Sequence, residues 1–315
     1  MVEYIIETKG LKKRFKKQLA VNSIDMKIEK GKIYGLLGKN GAGKTTTMCM
    51  LLNLSKPTDG EIFFFGKHYK QNSKEIYSKI GSIIETPGFY ENLSAFDNLK
   101  VFSKLRGNYK KENVERALEI VSLSDAKYKK FKNFSLGMKQ RLGIAAAIMH
   151  NPEILILDEP INGLDPMGIK EIRNLLKKLS KNYGTTILIS SHILSEIEAI
   201  ADVICVMDNG LIIEEVSMDQ LHEKLNKHVT FEVSDVDLAC KILEQLQLTN
   251  RIDFKIDAAT NRIHLLTKLN MRSTFNVLFV KAGIKVNEIS IVEESLEEYF
   301  TKLIEKKELY GEIYD

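Results

Sequence analysis

The sequence predicts an α/β fold followed by a smaller α+β domain. Three observations carry that prediction. Apolar segments of strand length alternate with helical patterns through most of the chain. A glycine-rich turn joins a strand to a helix at 38–45. After about Lys227 the expected order becomes β-α-β-β-α-β. The chain has 315 residues, 44% hydrophobic and 28% charged, which suits two folded domains and argues against wholesale disorder.

The elements follow in order. Residues 4–7 and 23–28 are expected strands, and 32–37 is a third that runs into Gly38. A helix is expected over 45–54. From 92 to 150 the pattern is helical, with Leu93, Phe96, Leu99, Phe102 and Leu105 at three- and four-residue spacing. Further helices are expected at 112–122 and from Gly137 to Met149. Ile154, Leu155, Ile156 and Leu157 run consecutively, the mark of a strand buried on both faces of a parallel sheet. Helix 168–181, strand 185–190, helix 195–201 and strand 203–207 continue the alternation. Asn209-Gly210 predicts a tight hairpin turn into a strand at 211–215.

The second domain reads as strand 229–233, helix 236–247, strands 252–256 and 262–266, helix 272–282 and strand 285–291. That order matches a split βαβ, ferredoxin-like arrangement. A last helix is expected at 293–306. The boundary is placed near 225, giving domains 1–225 and 226–315.

Composition excludes several classes of function. Lys plus Arg total 46 and Asp plus Glu 42, a net charge of +4, so nucleic acid is not an expected partner. The basic run Lys9, Lys12, Lys13, Arg14, Lys16 and Lys17 reads as a solvated face. Cys49, Cys205 and Cys240 are far apart and form no CxxC pair, so neither a metal cluster nor a disulfide framework is expected. The first residues carry no signal-peptide pattern, and no stretch of about 18 apolar residues predicts a membrane span.

The chemistry concentrates in two places. Gly38, Lys39, Asn40, Gly41, Ala42, Gly43, Lys44 and Thr45 fit G-x-x-x-x-G-K-[ST], with Thr46 beside them. Glycines let backbone N–H groups approach phosphate oxygens, and the helix start adds positive potential. Lys44 is expected to reach the β- and γ-phosphates of a nucleotide, and the Thr45 hydroxyl to ligate Mg²⁺. Asp158 closes the aliphatic run, at the strand end where ligands bind in open α/β sheets. It is expected to hold Mg²⁺ through water, and Glu159 to polarise an attacking water as general base.

Around these residues the chain resembles the ABC ATPases. Asn133-Phe134-Ser135-Leu136-Gly137-Met138-Lys139-Gln140-Arg141 resembles their signature motif, Leu157-Asp158-Glu159-Pro160 their acidic strand end, Asn162-Gly163-Leu164-Asp165 their D-loop and His192 their switch histidine. Phe15 matches the aromatic that stacks on adenine, and Glu85 falls where the family has a glutamine. The resemblance implies a P-loop ABC ATPase domain with a mixed sheet and a helical subdomain at about 90–150. It also implies a dimer, read here as a homodimer, that closes on two ATP molecules. Ser135 and Gly137 of one subunit would then touch the γ-phosphate bound by the other. Two departures stand out: Leu136 and Met138 replace signature residues, and Glu85 replaces glutamine as an expected Mg²⁺ ligand.

Glu85 followed by Thr86-Pro87-Gly88-Phe89-Tyr90 resembles the ATPases of bacitracin export and lantibiotic immunity. The implied protein is an ATP-hydrolysing subunit that energises a separate integral membrane permease and sits on the cytoplasmic face of the membrane. The permease is expected between Gly81 and Asn108, with Phe89, Tyr90, Phe96 and Phe102 as candidate anchors. The alternative is a soluble ABC ATPase acting on ribosomes or DNA. A single phosphate loop without a coiled-coil insertion speaks against it.

Overall fold

A computed structural model describes residues 3–85, 88–107, 109–225 and 227–311, without the side chains of His222 and 304–311. Thr86 and Pro87 of the Glu85 segment, and Asn108 at the end of the expected permease surface, lie outside the described residues. The chain divides into two compact units, one ending at Gln220 and the other beginning at Leu221.

The first unit opens with a hairpin, β1 (Tyr4–Phe15) and β2 (Gln18–Glu29). Both strands outrun the expected lengths. Between Lys9 and Arg14 only Leu11 is apolar, so the far half of β1 looks like loop. β3 (Ile33–Leu37) is buried throughout and leads into α1 (Lys44–Leu51). Four elements then appear that the apolar pattern did not predict: β4 (Asp59–Phe64), β5 (Lys67–His68), α2 (Ser73–Ser78) and the strand at Ile80–Ile83. β6 (Ile80–Ile83) precedes the helical region of α3 (Ala95–Leu105), α4 (Lys111–Ile120) and α5 (Leu136–Ile148).

β7 (Ile154–Leu157) falls where four aliphatics predicted it. α6 (Pro166–Tyr183) starts before the expected Gly168 because Asp165 caps it and Pro166 presets its first turn. β8 (Thr186–Ser191), α7 (Leu194–Glu198), β9 (Val203–Asp208) and β10 (Leu211–Ser217) complete the unit, with α8 (Met218–Lys224) across the division. Asn209 and Gly210 both have positive φ, 47° and 78°, as a two-residue hairpin turn requires.

The strands form two sheets. The antiparallel sheet runs β2-β1-β4-β5 and the larger one β10-β9-β3-β8-β7-β6. In the larger sheet β9, β3, β8, β7 and β6 are mutually parallel, and β10 is antiparallel. One core joins them: Ile5, Met26 and Phe64 from the first sheet, Leu36, Ile156 and Leu188 from the second, and Met48 and Leu51 of α1 between. Burial of each such side chain contributes about 1.5–3 kcal/mol. The phosphate-loop helix is therefore anchored on two sides.

The second unit holds β11 (Lys227–Val233), α9 (Val236–Gln245), β12 (Phe254–Asp257), β13 (Arg262–Leu265), α10 (Arg272–Lys281), β14 (Val286–Glu293) and α11 (Leu296–Gly311). Its sheet runs β12-β13-β11-β14, with antiparallel neighbours throughout. Each βαβ half thus has another strand between its own two, the split arrangement expected from the sequence. Phe231 and Phe254 of the sheet pack with Phe275 and Phe279 of α10.

Candidate active site

The parallel register brings the candidate residues to one edge. Leu37 pairs with Ser191, Leu157 with Ile189, and Ile83 with Leu157. The residues that follow, Gly38, His192, Asp158 and Glu85, therefore leave neighbouring strands at the same end. This is where open α/β sheets bind ligands.

The phosphate loop is shaped by sterics. Gly41 and Gly43 have φ of 87° and 104°, in the left-handed region that glycine tolerates. A Cβ on Gly38 would lie 2.3 Å from the Met207 carbonyl oxygen, and one on Gly43 2.6 Å from that of Ala20. The β9–β10 turn braces the loop from outside, since the Gly210 N–H donates to the Ala42 carbonyl at 3.0 Å.

Lys44 is buried, and its Nζ donates to the Gly38 carbonyl at 2.6 Å. It also pairs with Glu159 Oε1 at 3.6 Å. Glu159 Oε2 lies 2.6 Å from His192 Nδ1; a carboxylate only accepts, so that nitrogen carries the proton. The three expected groups thus form one chain: Lys44, Glu159, His192. Glu159 holds it together in a left-handed backbone, φ 46°, unusual for a residue with a Cβ.

The expected metal pair also meets. Thr45 Oγ1 donates to Asp158 Oδ2 at 2.7 Å. Hard oxygen donors of this kind suit Mg²⁺, which takes one or two carboxylates and completes its shell with phosphates and water. Among the described residues no group of three His, Cys, Asp or Glu could hold a metal by itself. The donor set therefore fits an ion that arrives with a nucleotide. Glu85 is exposed beyond β6, with φ 62°. Burial, then the charges of Asp158 and Glu85, raise the Cys49 thiol.

Sequence reasoning missed Ser190 as a site residue. Its hydroxyl donates to Asp158 Oδ1 at 2.5 Å and accepts from the Glu159 N–H at 2.9 Å. One side chain thereby fixes both acids. The available signal was a polar residue ending a buried aliphatic strand. Next to it, Ser191 Oγ donates to buried Glu196 and accepts from the Ile193 N–H at 2.9 Å, which orders the His192 turn.

Other candidates stand apart from this cluster. Ser135 caps α5, accepting from the Met138 N–H at 3.3 Å, and Gly137 lies in the first helical turn. Among the described residues no hydrogen bond or ion pair links Ser135 or Gly137 to Lys44, Asp158 or Glu159. Phe15 is 49% exposed at the tip of the first hairpin, with Lys13 Nζ 4.8 Å from its ring centre. Lys39, Asn40, Ala42 and Thr46 keep their places in the loop and its helix.

A cavity of about 300 Å³ lies beside the Glu85 segment, lined by Ile84, Phe89, Phe102, Arg106, Ala146 and Met149. Phe89 packs on Phe102 and Phe131 at 5.2 and 5.1 Å. Gly81 does not belong to this surface: it is buried in β6 because α5 packs so close that a Cβ would meet the Ala147 carbonyl oxygen at 2.2 Å. Among the described residues no helix is long and apolar enough to cross a membrane.

Comparison with known proteins agrees with this geometry. The ABC transporter family model matches residues 21–162. The bacitracin transport ATP-binding protein BcrA of Enterococcus faecalis is 54% identical, over 96% of this chain and 97% of its own. The lantibiotic transport ATP-binding protein SrtF of Streptococcus pyogenes is 45% identical over 72% of this chain and 99% of its own. Among solved structures, a Clostridium perfringens subunit that is part of an ABC transporter complex has a TM-score of 0.65 at 27% identity, covering 78% of this chain and 96% of its own.

Proposed function

The chain belongs to the ABC transporter family as an ATP-binding, ATP-hydrolysing subunit, and from that premise we propose that it powers the export of a peptide antibiotic of the bacitracin or lantibiotic kind through a separate membrane permease. The Lys44–Glu159–His192 chain beside the Thr45–Asp158 pair carries the hydrolytic part of this reading. The similarity to BcrA and SrtF carries the cargo class.

Each residue has a role that its position supports. Lys44 and the loop amides hold the β- and γ-phosphates, and Phe15 stacks on the base. Thr45, Asp158 and Glu85 would hold Mg²⁺, which when bound would neutralise charge on the phosphates. Glu159 accepts a proton as a water oxygen attacks the γ-phosphorus, and the bond to ADP breaks as inorganic phosphate forms. His192 orients Glu159 through its single N–H, and a neutral imidazole that turns this N–H to the bound γ-phosphate instead becomes a donor to it. Ser135 and Gly137 act on the nucleotide of a second copy, because an anion at the α5 N-terminus would satisfy the Leu136 and Gly137 amides, which have no acceptor among the described residues.

The permease docks at the cavity walled by Phe89 and Phe102, which adjoins the Glu85 segment and so senses the nucleotide edge. The test is copurification with a polytopic membrane protein from native cells in mild detergent. Phe89→Asp should abolish that association while leaving ATP binding intact. Recovery with ribosomes or nucleic acid alone would replace this reading with the soluble alternative.

A further inference from the structure

β14 is the terminal strand of the second unit's sheet. Asn287, Glu288, Ile289, Ile291, Val292 and Glu293 are exposed, Ile291 by 57%. Among the described residues β14 pairs with β11 alone. Its other side offers an unpaired row of N–H and C=O groups. Proteins guard such edges with Pro, Lys, short strands or a covering segment. β14 runs eight residues without Pro or Lys, and its one guard is a bulge at Asn287.

The side chains along this edge are ordered. Ile291 lies opposite Val229, Ile289 opposite Phe231 and, beyond the bulge, Val286 opposite Val233. Directly opposite residues share a face. Val286, Ile289 and Ile291 therefore line the face covered by α9 and α10, and Glu288, Ser290 and Val292 line the other.

We propose that β14 pairs antiparallel with β14 of a second copy of this chain, about a two-fold axis through Ile289, so that two four-stranded sheets become one. In this register Ile289 meets its own copy, Val286 meets the second copy's Ile291, and Glu288 meets the second copy's Ser290. Over 286–291 the apolar residues face apolar ones, and no like charges oppose. The neighbouring registers fail on charge or polarity. An axis at Glu288 sets that carboxylate against itself. An axis at Ser290 sets Val286 against Glu293. An axis at Ile291 sets Glu288 against Glu294. The pairing needs no nucleotide, so it is distinct from the ATP-bound dimer and survives the failure of that reading.

The experiment is sedimentation equilibrium of the full-length chain without nucleotide and with a chelator. The wild type should dimerise at micromolar concentration. Ile289→Lys places two ammonium groups on the axis and should leave a monomer with unchanged circular dichroism and intact ATP binding. Ser290→Glu opposes Glu288 twice per dimer and should weaken association about tenfold, whereas Ser290→Lys should tighten it by several fold. A monomeric wild type, a dimeric Ile289→Lys variant, or equal effects of the two Ser290 substitutions would each overturn the proposal. So would an edge that captures only the permease.

Discussion

The two units put their unsatisfied polarity in opposite places. In the first, strands β3, β8 and β7 are buried, and their polar groups collect at or just beyond the strand ends, as Gly38, Ser190 and Asp158. In the second, the sheet is antiparallel, and its outer strand leaves polar backbone exposed along its flank. A parallel sheet closed on both faces concentrates chemistry at one rim. A sheet with an open edge concentrates recognition along a line. One relative aligns 99% of its own length with 72% of this chain, so the rest of the chain has no counterpart in it.

If the division is real, variants should separate cleanly. The largest effect belongs to Glu159→Gln, which removes the proton acceptor while keeping size and shape. Phosphate release should fall by about 10²–10⁴-fold, and the variant should accumulate as an ATP-bound dimer. Its nucleotide-free association should match the wild type, whereas Ile289→Lys should lose that association and keep its intrinsic turnover. A variant that lost both would merge the two units into one device.

Ser190→Ala comes next. It strips Asp158 of a donor and the Glu159 amide of an acceptor, so about 1–3 kcal/mol of stability should go, read by urea denaturation. Turnover should fall with it, and restoration of both by Thr would confirm the hydroxyl as the cause. Unchanged stability would mean that water replaces the hydroxyl. Glu85→Ala should raise the Mg²⁺ concentration needed for half-maximal hydrolysis by severalfold; an unchanged requirement removes Glu85 from the ligand set.

The last effect is a pH slope. Burial, then the Arg106 charge, pushes His150 down to about 4 from the usual 6.5. Between those values the unfolded chain binds a proton that the folded chain refuses, so stability is full above 6.5 and is lost as pH falls toward 4. His150→Gln should flatten that part of the denaturation profile, and an identical slope would remove His150 as its source.

The contrast also explains what the sequence made visible. The phosphate loop and β7 were legible because their constraints are local: glycines for φ, four aliphatics for burial on two faces. Family resemblance marked Glu159 and His192 one by one, but neither their contact nor Ser190 was legible. Its partner lies 32 residues away, and only the register of β7 against β8 brings them together. β4 was missed because Asp59, Gly60 and Glu61 open it, residues more typical of turns. The strand order of the second unit was legible as a pattern, whereas the freedom of the β14 edge depended on which strand ended up outermost.

The left-handed backbone of Glu159 has a further consequence. Folding alone would favour Gly or Asn there, since either occupies φ near 46° at less cost than a glutamate, a difference of about 1 kcal/mol. Every generation of random mutation therefore offers this protein a trade at that codon: a chain that withstands more heat and turns over nothing. A screen for thermal tolerance without selection for ATP hydrolysis should drift toward that dead enzyme, and the glutamate persists only where turnover is being asked for.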